Sequence, residues 1–187
     1  MGRLPTLRVV LCLRGAHSYP SVPHRGATGR NIMTKRDPIN PTDADARALA
    51  RGLLRDARFG ALAVIQPETQ TPYVARIGMI GQGGTPLILI STLSLHTKAL
   101  QANPACSLLI GEPGDKGDPL THPRMTLMCK AAPADKGPLR EAWLAAIPKA
   151  KLYYDFTDFI MFRLTPDVIH LNGGFGKAYT LTTADLV

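Results

Sequence analysis

The stretch ALAVIQPETQTPYVARIGMIGQGGTPLILIS, residues 61–91, holds three short apolar segments that are separated by two polar turns. The segments at 61–66, 73–80 and 87–91 are rich in Val, Ile and Leu, which favour β-strands. The turns between them are too short for the crossover helix that parallel neighbours need. The stretch therefore predicts an antiparallel meander of three strands.

The rest of the chain continues this pattern of short strands with few helices. Apolar residues at helical spacing predict an amphipathic helix over 41–60, capped by Thr42 or Asp43 and ended by Gly60. Shorter helical segments are predicted at 94–103, 138–147 and 149–156, and further strands at 105–111, 124–132, 158–166 and 167–173. Six or seven short strands with peripheral helices predict a mainly β fold, a small antiparallel barrel, because closure removes most exposed strand edges.

The basic charge of the chain is concentrated at its beginning. The formal net charge is +8, but residues 1–36 contain seven Lys and Arg and no acidic residue. Residues 37–187 hold 15 basic and 14 acidic side chains, so the predicted folded part is nearly neutral. A nucleic-acid-binding domain carries its positive charge as a patch on the folded body, and we therefore expect no nucleic-acid partner.

Two parts are predicted: a disordered basic extension at 1–36 and one domain at 37–187. The extension fits either an over-extended start, with Met33 as the true initiator, or an organelle transit peptide, which is rich in Arg and poor in acids. No apolar run in the sequence is long enough to cross a membrane. Cys106 and Cys129 lie in apolar strand segments, and such buried free thiols predict a reducing, cytoplasmic location.

Hydroxyl and cationic side chains gather where the third strand meets the helix at 94–103. Ser94 is a good N-cap, and a helix N-terminus offers free backbone N–H groups. No acidic residue lies nearby in sequence, although the first turn of a helix normally favours one. The pattern predicts a phosphate site built without a glycine-rich loop; the alternative is a capped surface helix with a solvated lysine. The candidate residues are Ser91, Thr92, His96, Thr97 and Lys98.

Arg76 supports the phosphate interpretation. Alternate residues of a strand face the same side, so Arg76 shares a face with the apolar Val74 and Ile80. A buried or half-buried guanidinium on an apolar face needs an anion. Arg76 and Lys98 are therefore predicted to hold one phosphate; the alternative is an arginine at the barrel rim that pairs with a distant Asp.

Other polar residues give weaker signals. The glycine-rich segment 173–177 lacks the spacing of a dinucleotide-binding loop, and Cys106 lacks a recognisable His and acid partner. The five histidines show no metal-ligand spacing, so no metal site is predicted. A single axial haem ligand would leave no motif, and His96, His122 or His170 could serve as one. No catalytic residue is assigned.

Several segments, in order, resemble the pyridoxamine-phosphate-oxidase-like split-barrel flavoproteins, and most closely their haem-utilisation (HugZ-type) branch. They are RDARFGALAVI, YVARIG, LILISTLSLHTKALQANPACSLLIGEPG, KLYYDFTDFIMFRLTP and HLNGGFGKAY, all within residues 43–186. The resemblance implies a six-stranded antiparallel split barrel that forms a homodimer and binds FMN at the dimer interface. It also implies a small-molecule substrate, whose identity the sequence does not reveal.

The resemblance further implies which residues hold the phosphate end of the cofactor. Arg76 and Lys98 would bind the FMN phosphate. Ser91 and Thr97 would donate hydroxyl hydrogen bonds to it, and Ile77 would present its backbone to the flavin. Thr97 stands where the oxidases have an arginine between a serine and a lysine, so we expect weaker phosphate binding.

A second set of residues would approach the flavin ring. Arg124 stands near the position where the oxidases place a glutamine beside the ring. Asn172 and Lys177 lie in HLNGGFGK, the segment that corresponds to the part reaching the flavin from the partner chain.

The substrate side of the pattern departs from the oxidases. Ile147, in AAIPKAKL, stands where the oxidases have an arginine that grips the substrate phosphate. The segment GFGKAYTL stands in place of their C-terminal Arg-Leu-His-Asp-Arg. We therefore expect a flavin-dependent oxidoreductase of unknown substrate rather than a true pyridoxamine-phosphate oxidase. The alternative is a haem-binding or haem-utilisation protein that uses the same dimer cleft.

Overall fold

The computed structural model describes residues 38–187, which form a mainly β fold. The strands are β1 Ile39–Asn40, β2 Phe59–Ile65, β3 Pro72–Gln82, β4 Thr85–Ser91, β5 Ala105–Ile110, β6 Arg124–Ala134, β7 Phe159–Asn172 and β8 Ala178–Leu181. The α-helices are α1 Ala44–Asp56, α2 Leu95–Ala102 and α3 Arg140–Ala146, and short 3₁₀ helices lie at Pro119–Thr121, Gly137–Leu139, Pro148–Leu152 and Thr183–Leu186. The extension predicted at 1–36 lies outside the described residues.

Six of the strands close into a barrel, in the order β2-β3-β4-β7-β6-β5 and back to β2. Every pairing in this ring is antiparallel, which confirms the predicted six-stranded antiparallel split barrel. The 14-residue β7 pairs with β6 along one edge and with β4 and then β8 along the other. β1 completes the sheet by pairing in parallel with β8.

One long strand replaces the two strands predicted at 158–166 and 167–173. Pro166 suggested a break, but it lies within β7, buried and paired with Cys129 beside an irregularity in the register of β6. A proline is tolerated there because the ladder of hydrogen bonds is already interrupted at a bulge.

The helix predicted at 41–60 is shorter than expected. Asp43 is its N-cap, accepting a hydrogen bond from the backbone N–H of Ala46, but α1 ends at Asp56. Gly60 does not end the helix, since it lies within β2. An added Cβ on Gly60 would come within 2.9 Å of Leu108, so the glycine permits close packing of β2 on β5.

The barrel interior is filled by alternate residues of its strands. Leu62, Leu108 and Leu127 are completely buried there, and α1 packs on the same core. Cys106 and Cys129 are both buried and free, as predicted, and burial raises the pKa of the Cys106 thiol to about 11. Within residues 38–187 no helix has the length and apolar character needed to cross a bilayer. The cytoplasmic location remains a prediction.

The outside of the barrel has two apolar surfaces that differ in their packing. α3 and the 3₁₀ helix that follows it cover part of β3, β4 and β7, which we name the covered face. Its buried residues are Ile80, Leu87, Leu89, Trp143, Ala150, Tyr154 and Met161. A second surface on β2, β3, β5, β6 and β7 remains exposed, and we name it the open face. Its large apolar residues, between 36% and 60% exposed, are Phe59, Ile65, Val74, Leu109, Met128 and Val168.

Candidate functional site

β3 and β4 separate at the place where the predicted phosphate residues lie. Their pairing stops at Met79 and Ile88, although both strands continue. Extending the same register by three residues would place Arg76 opposite Ser91. Because side chains at opposed positions face the same side of a sheet, both side chains point outward from the barrel. The separation of the two strands therefore lies between Arg76 and the end of β4.

The start of α2 collects hydrogen-bond donors that have no acceptor. Ser94 occupies the N-cap position, but its side chain makes no capping hydrogen bond. The backbone N–H groups of Leu95 and His96 have no partner among residues 38–187. The Lys98 side chain is exposed and, within the same range, makes neither a hydrogen bond nor an ion pair. These are the groups that an oxyanion requires.

The hydroxyls of Ser91 and Thr97 are engaged within the protein. Ser91 Oγ donates to Asp158 Oδ2 at 2.7 Å and accepts from the backbone N–H of Leu93 at 3.2 Å. Thr97 is fully buried, and its Oγ1 donates to the backbone oxygen of Ser91 at 2.6 Å. These two hydroxyls hold the turn between β4 and α2 in place. Because each hydroxyl already donates its hydrogen within the protein, neither has a hydrogen left to donate to a ligand in this arrangement.

An acidic residue does lie at this turn, contrary to the expectation from the local sequence. Asp158, just before β7, reaches Ser91 with its carboxylate and accepts a hydrogen bond from the Thr92 N–H with its backbone oxygen, at 2.7 Å. The pairing of Ser91 with Phe159 brings it there. Asp158 follows Ser91 by 67 residues, so no local pattern could have indicated it.

Arg76 is exposed, and the prediction that it is half-buried was wrong. Ile77 and Met79 occupy the inward side of β3, so the face that carries Arg76 is the outer one, where Val74 is 60% exposed. The guanidinium lies 5.4 Å from the centre of the Phe59 ring, a cation–π contact. Within the described chain no carboxylate pairs with it, so its charge is available to an anion. We name Arg76, Ser91, Thr92, His96, Thr97 and Lys98 the phosphate cluster.

Arg124, Asn172 and Lys177 form a separate group, which we name the rim cluster. Arg124 and Asn172 are paired on β6 and β7, and Asn172 also pairs with Ala178, next to Lys177. Arg124 Nη1 donates to the backbone oxygen of Leu120 at 2.8 Å, while Lys177 is exposed. β2 and β5 lie between β3 and β6, so about 14 Å of sheet separates the strand of Arg76 from that of Arg124. One chain therefore does not join the two clusters into a single site.

Comparison with known proteins identifies relatives of this fold and sequence. No family model matches the chain. The non-canonical haem oxygenase HOZ, chloroplastic, of Arabidopsis thaliana is 40% identical over 100 residues, which are 51% of this chain and 30% of the plant protein. The structure of a haem-binding protein from Mycobacterium smegmatis is 28% identical with a TM-score of 0.70, covering 79% of this chain and 61% of that one.

A third match shows the fold. A protein from Clostridium acetobutylicum, related to general stress protein 26 and described as of the pyridoxinephosphate oxidase family, has a TM-score of 0.60 at 12% identity, covering 78% of this chain and 100% of that one. The chain therefore has the pyridoxamine-phosphate-oxidase-like split-barrel fold, and the proteins it is similar to include a haem oxygenase and a haem-binding protein. This confirms the resemblance seen in the sequence. The chain spans less than two thirds of the plant and mycobacterial relatives.

Histidine is a common axial ligand of haem, and three histidines of this chain differ in their surroundings. His122 uses both ring nitrogens, with Nδ1 accepting from the Gly114 N–H and Nε2 2.9 Å from the Lys116 backbone oxygen. His96 is half-buried, and burial lowers its pKa, which favours the neutral ring. His170 is exposed on β7, and its ring has no hydrogen-bond partner in residues 38–187. No group of three or more His, Cys, Asp or Glu in that range could hold a metal ion.

Proposed function

We propose that the protein is a homodimeric FMN-binding flavoprotein and a flavin-dependent oxidoreductase of unknown substrate. The observation that carries the proposal is the group of unpaired donors around the separation of β3 and β4: Arg76, Lys98 and the first N–H groups of α2. A phosphate monoester has enough acceptor oxygens to take hydrogen bonds from all of these donors. Bound FMN would supply hydride and single-electron transfer, while the chain would bind and orient it.

The open face supports the homodimer. Contiguous exposed apolar side chains on a sheet mark a surface that a partner covers. Phe59, which lies beneath the Arg76 guanidinium, belongs to this face, so a second copy packed there would border the phosphate cluster. The rim cluster of the second copy would then supply the polar groups that one chain places too far away.

The substrate side argues against a true pyridoxamine-phosphate oxidase. Ile147 is half-buried near Gly78, where an added Cβ would lie 3.9 Å from its side chain. Gly78 lies two residues from Arg76 on the same face of β3. An aliphatic side chain cannot make the bidentate contacts by which an arginine holds a substrate phosphate. Lys149 and Lys151 are exposed nearby and would have to replace it.

The proposal is tested on the full chain. We expect FMN, and not FAD, to be released from the purified protein and to bind the apoprotein in calorimetry, because the donors fit one phosphate. With pyridoxamine phosphate, the FMN-loaded protein should stay below the ordinary enzyme range of about 10⁴ M⁻¹s⁻¹ in kcat/KM. Absence of FMN binding would exclude the flavoprotein function. Turnover of pyridoxamine phosphate in that range would show that the protein is a pyridoxamine-phosphate oxidase after all.

Haem binding in the cleft of the proposed dimer is the second candidate function. The named haem proteins among its relatives favour it. So does His170, whose exposed ring lies two residues from Val168 of the open face and makes no hydrogen bond within residues 38–187. An apolar surface with one available imidazole suits haem and an axial ligand. Addition of ferric haem would then produce a Soret band that shifts in His170→Ala. If the band forms and FMN does not bind, haem is the cofactor.

A further inference from the structure

Asp158 places a negative charge at the phosphate cluster. It is half-buried, and its carboxylate has no ion pair with any residue of 38–187. The contacts with Ser91 and Thr92 tie it to the turn that precedes α2. Arg76 and Lys98 are likewise without carboxylate partners in that range, so Asp158 neutralises neither cation.

The position of Asp158 is held by a lysine. Lys136 Nζ donates to the backbone oxygens of Tyr154, Phe156 and Phe159, each at 2.8 Å. These acceptors lie on both sides of Asp158 in the chain. A neutral side chain could not make three charge-assisted bonds of this kind. The loop that presents the carboxylate is therefore fixed by the fold and is not a mobile surface segment with a solvated acid.

Asp158 has two opposite effects on an anion bound at the cluster. By holding Ser91 and Thr92 it orders the turn from which the donors of α2 project. By its charge it would repel a phosphate dianion bound there, because like charges in a partly desolvated site repel each other. Removing the charge while keeping the hydrogen bond should separate the two effects.

We propose that Asp158 is a positioning residue that orders the phosphate cluster and, through its charge, keeps FMN affinity low enough for the flavin to exchange. This inference rests on the proposed function, since it concerns the same phosphate site. On this proposal two features lower the affinity for FMN: the Asp158 carboxylate, which is remote in sequence, and the presence of Thr97 where the oxidases have an arginine.

The decisive variant is Asp158→Asn, which keeps an oxygen acceptor for Ser91. We expect its Kd for FMN to fall about tenfold, since one repulsive charge is removed. The Kd for riboflavin, which has no phosphate, should not change, and the gain for FMN should shrink at high ionic strength. If Asp158 had a purely structural role, the substitution would change neither the ratio of the Kd for FMN to the Kd for riboflavin nor the dependence of that ratio on salt. Asp155→Asn is the matched control, because Asp155 already pairs with Arg140 at 2.8 Å.

Two further variants complete the test. Asp158→Ala removes both the charge and the acceptor, and we expect it to bind FMN less tightly than Asp158→Asn. Asp158→Ser is a second neutral variant, used if the asparagine variant does not fold. Unchanged or weaker FMN binding in a folded neutral variant that retains an acceptor would overturn the inference, while FMN binding by the wild type would leave the proposed function standing. If neither the wild type nor any variant binds FMN, the proposed function itself fails.

Discussion

The covered face and the open face are both apolar surfaces on the outside of one barrel, but only one of them is packed within the chain. On the covered face, Trp143 and Tyr154 are almost completely buried against strand residues such as Leu87. On the open face, Leu109 remains 43% exposed. A closed barrel satisfies its backbone hydrogen bonds internally, yet its outer apolar side chains still need a cover. α3 provides that cover on one face, and in the proposed homodimer a second copy would provide it on the other.

The largest expected effect comes from emptying the covered face. Trp143 is 0% exposed and is packed against Tyr154, so Trp143→Ala should lower the free energy of unfolding by about 3–5 kcal/mol. Urea unfolding of wild type and variant measures the difference. Phe175→Ala removes an aromatic ring that is 97% exposed and should change stability little. Equal losses in the two variants would mean that α3 does not stabilise the barrel.

The open face is tested by adding a charge. Leu109→Glu should raise the dimer dissociation constant by about a hundredfold or more, because a buried unpaired carboxylate is costly. Sedimentation analysis over a range of protein concentrations measures this constant. Leu152→Glu, at a residue that is 79% exposed beside the covered face, is the control and should leave the dimer intact. A wild-type protein that is monomeric at all concentrations would refute the proposed role of the open face.

The separation of β3 and β4 is tested by removing its cations. Arg76→Ala and Lys98→Ala should each weaken FMN binding by about 1.5–3 kcal/mol, since each removes one charge-assisted contact. Calorimetric titration of the folded variants gives the change in Kd. Arg55→Ala removes an exposed arginine at the end of α1 and should not affect the affinity. If both cluster variants bind FMN as the wild type does, the phosphate lies elsewhere.

The smallest expected effect concerns the 3₁₀ helix at Thr183–Leu186, which belongs to neither the covered face nor the open face. Hydrogen bonding from the Thr182 backbone, and then from Arg47, lowers the pKa of Asp185. Because the folded pKa is depressed, this stabilisation is present above the ordinary pKa of Asp and is lost as pH falls through the folded value. Arg47→Ala should therefore cost roughly 0.5–1 kcal/mol near neutral pH and less in acid. Urea unfolding at several pH values measures this, and a cost that grows in acid would contradict the assignment.

The predicted site residues show where sequence reasoning succeeds and where it stops. The helical start at Ser94, with free donors and an unpaired Lys98, follows from local pattern and is present in the structure. The burial of Arg76 was predicted wrongly, because alternation tells which residues share a face but not which face points inward. Thr97 was assigned to the phosphate, whereas its buried hydroxyl holds the turn. Whether any of these residues binds a cofactor remains a prediction.

The sequence by itself determined strands β2 to β6, their antiparallel connections and the split-barrel fold, because short turns exclude crossovers and the characteristic segments occur in order. It also determined that Cys106 and Cys129 are buried, since both lie in apolar strand segments. Only the tertiary structure decided that Pro166 interrupts no strand, that Trp143 covers one outer face, and that Asp158 reaches Ser91. These outcomes depend on how the barrel closes, because closure brings together residues that are far apart in sequence. A pattern of neighbouring residues carries no information about such contacts.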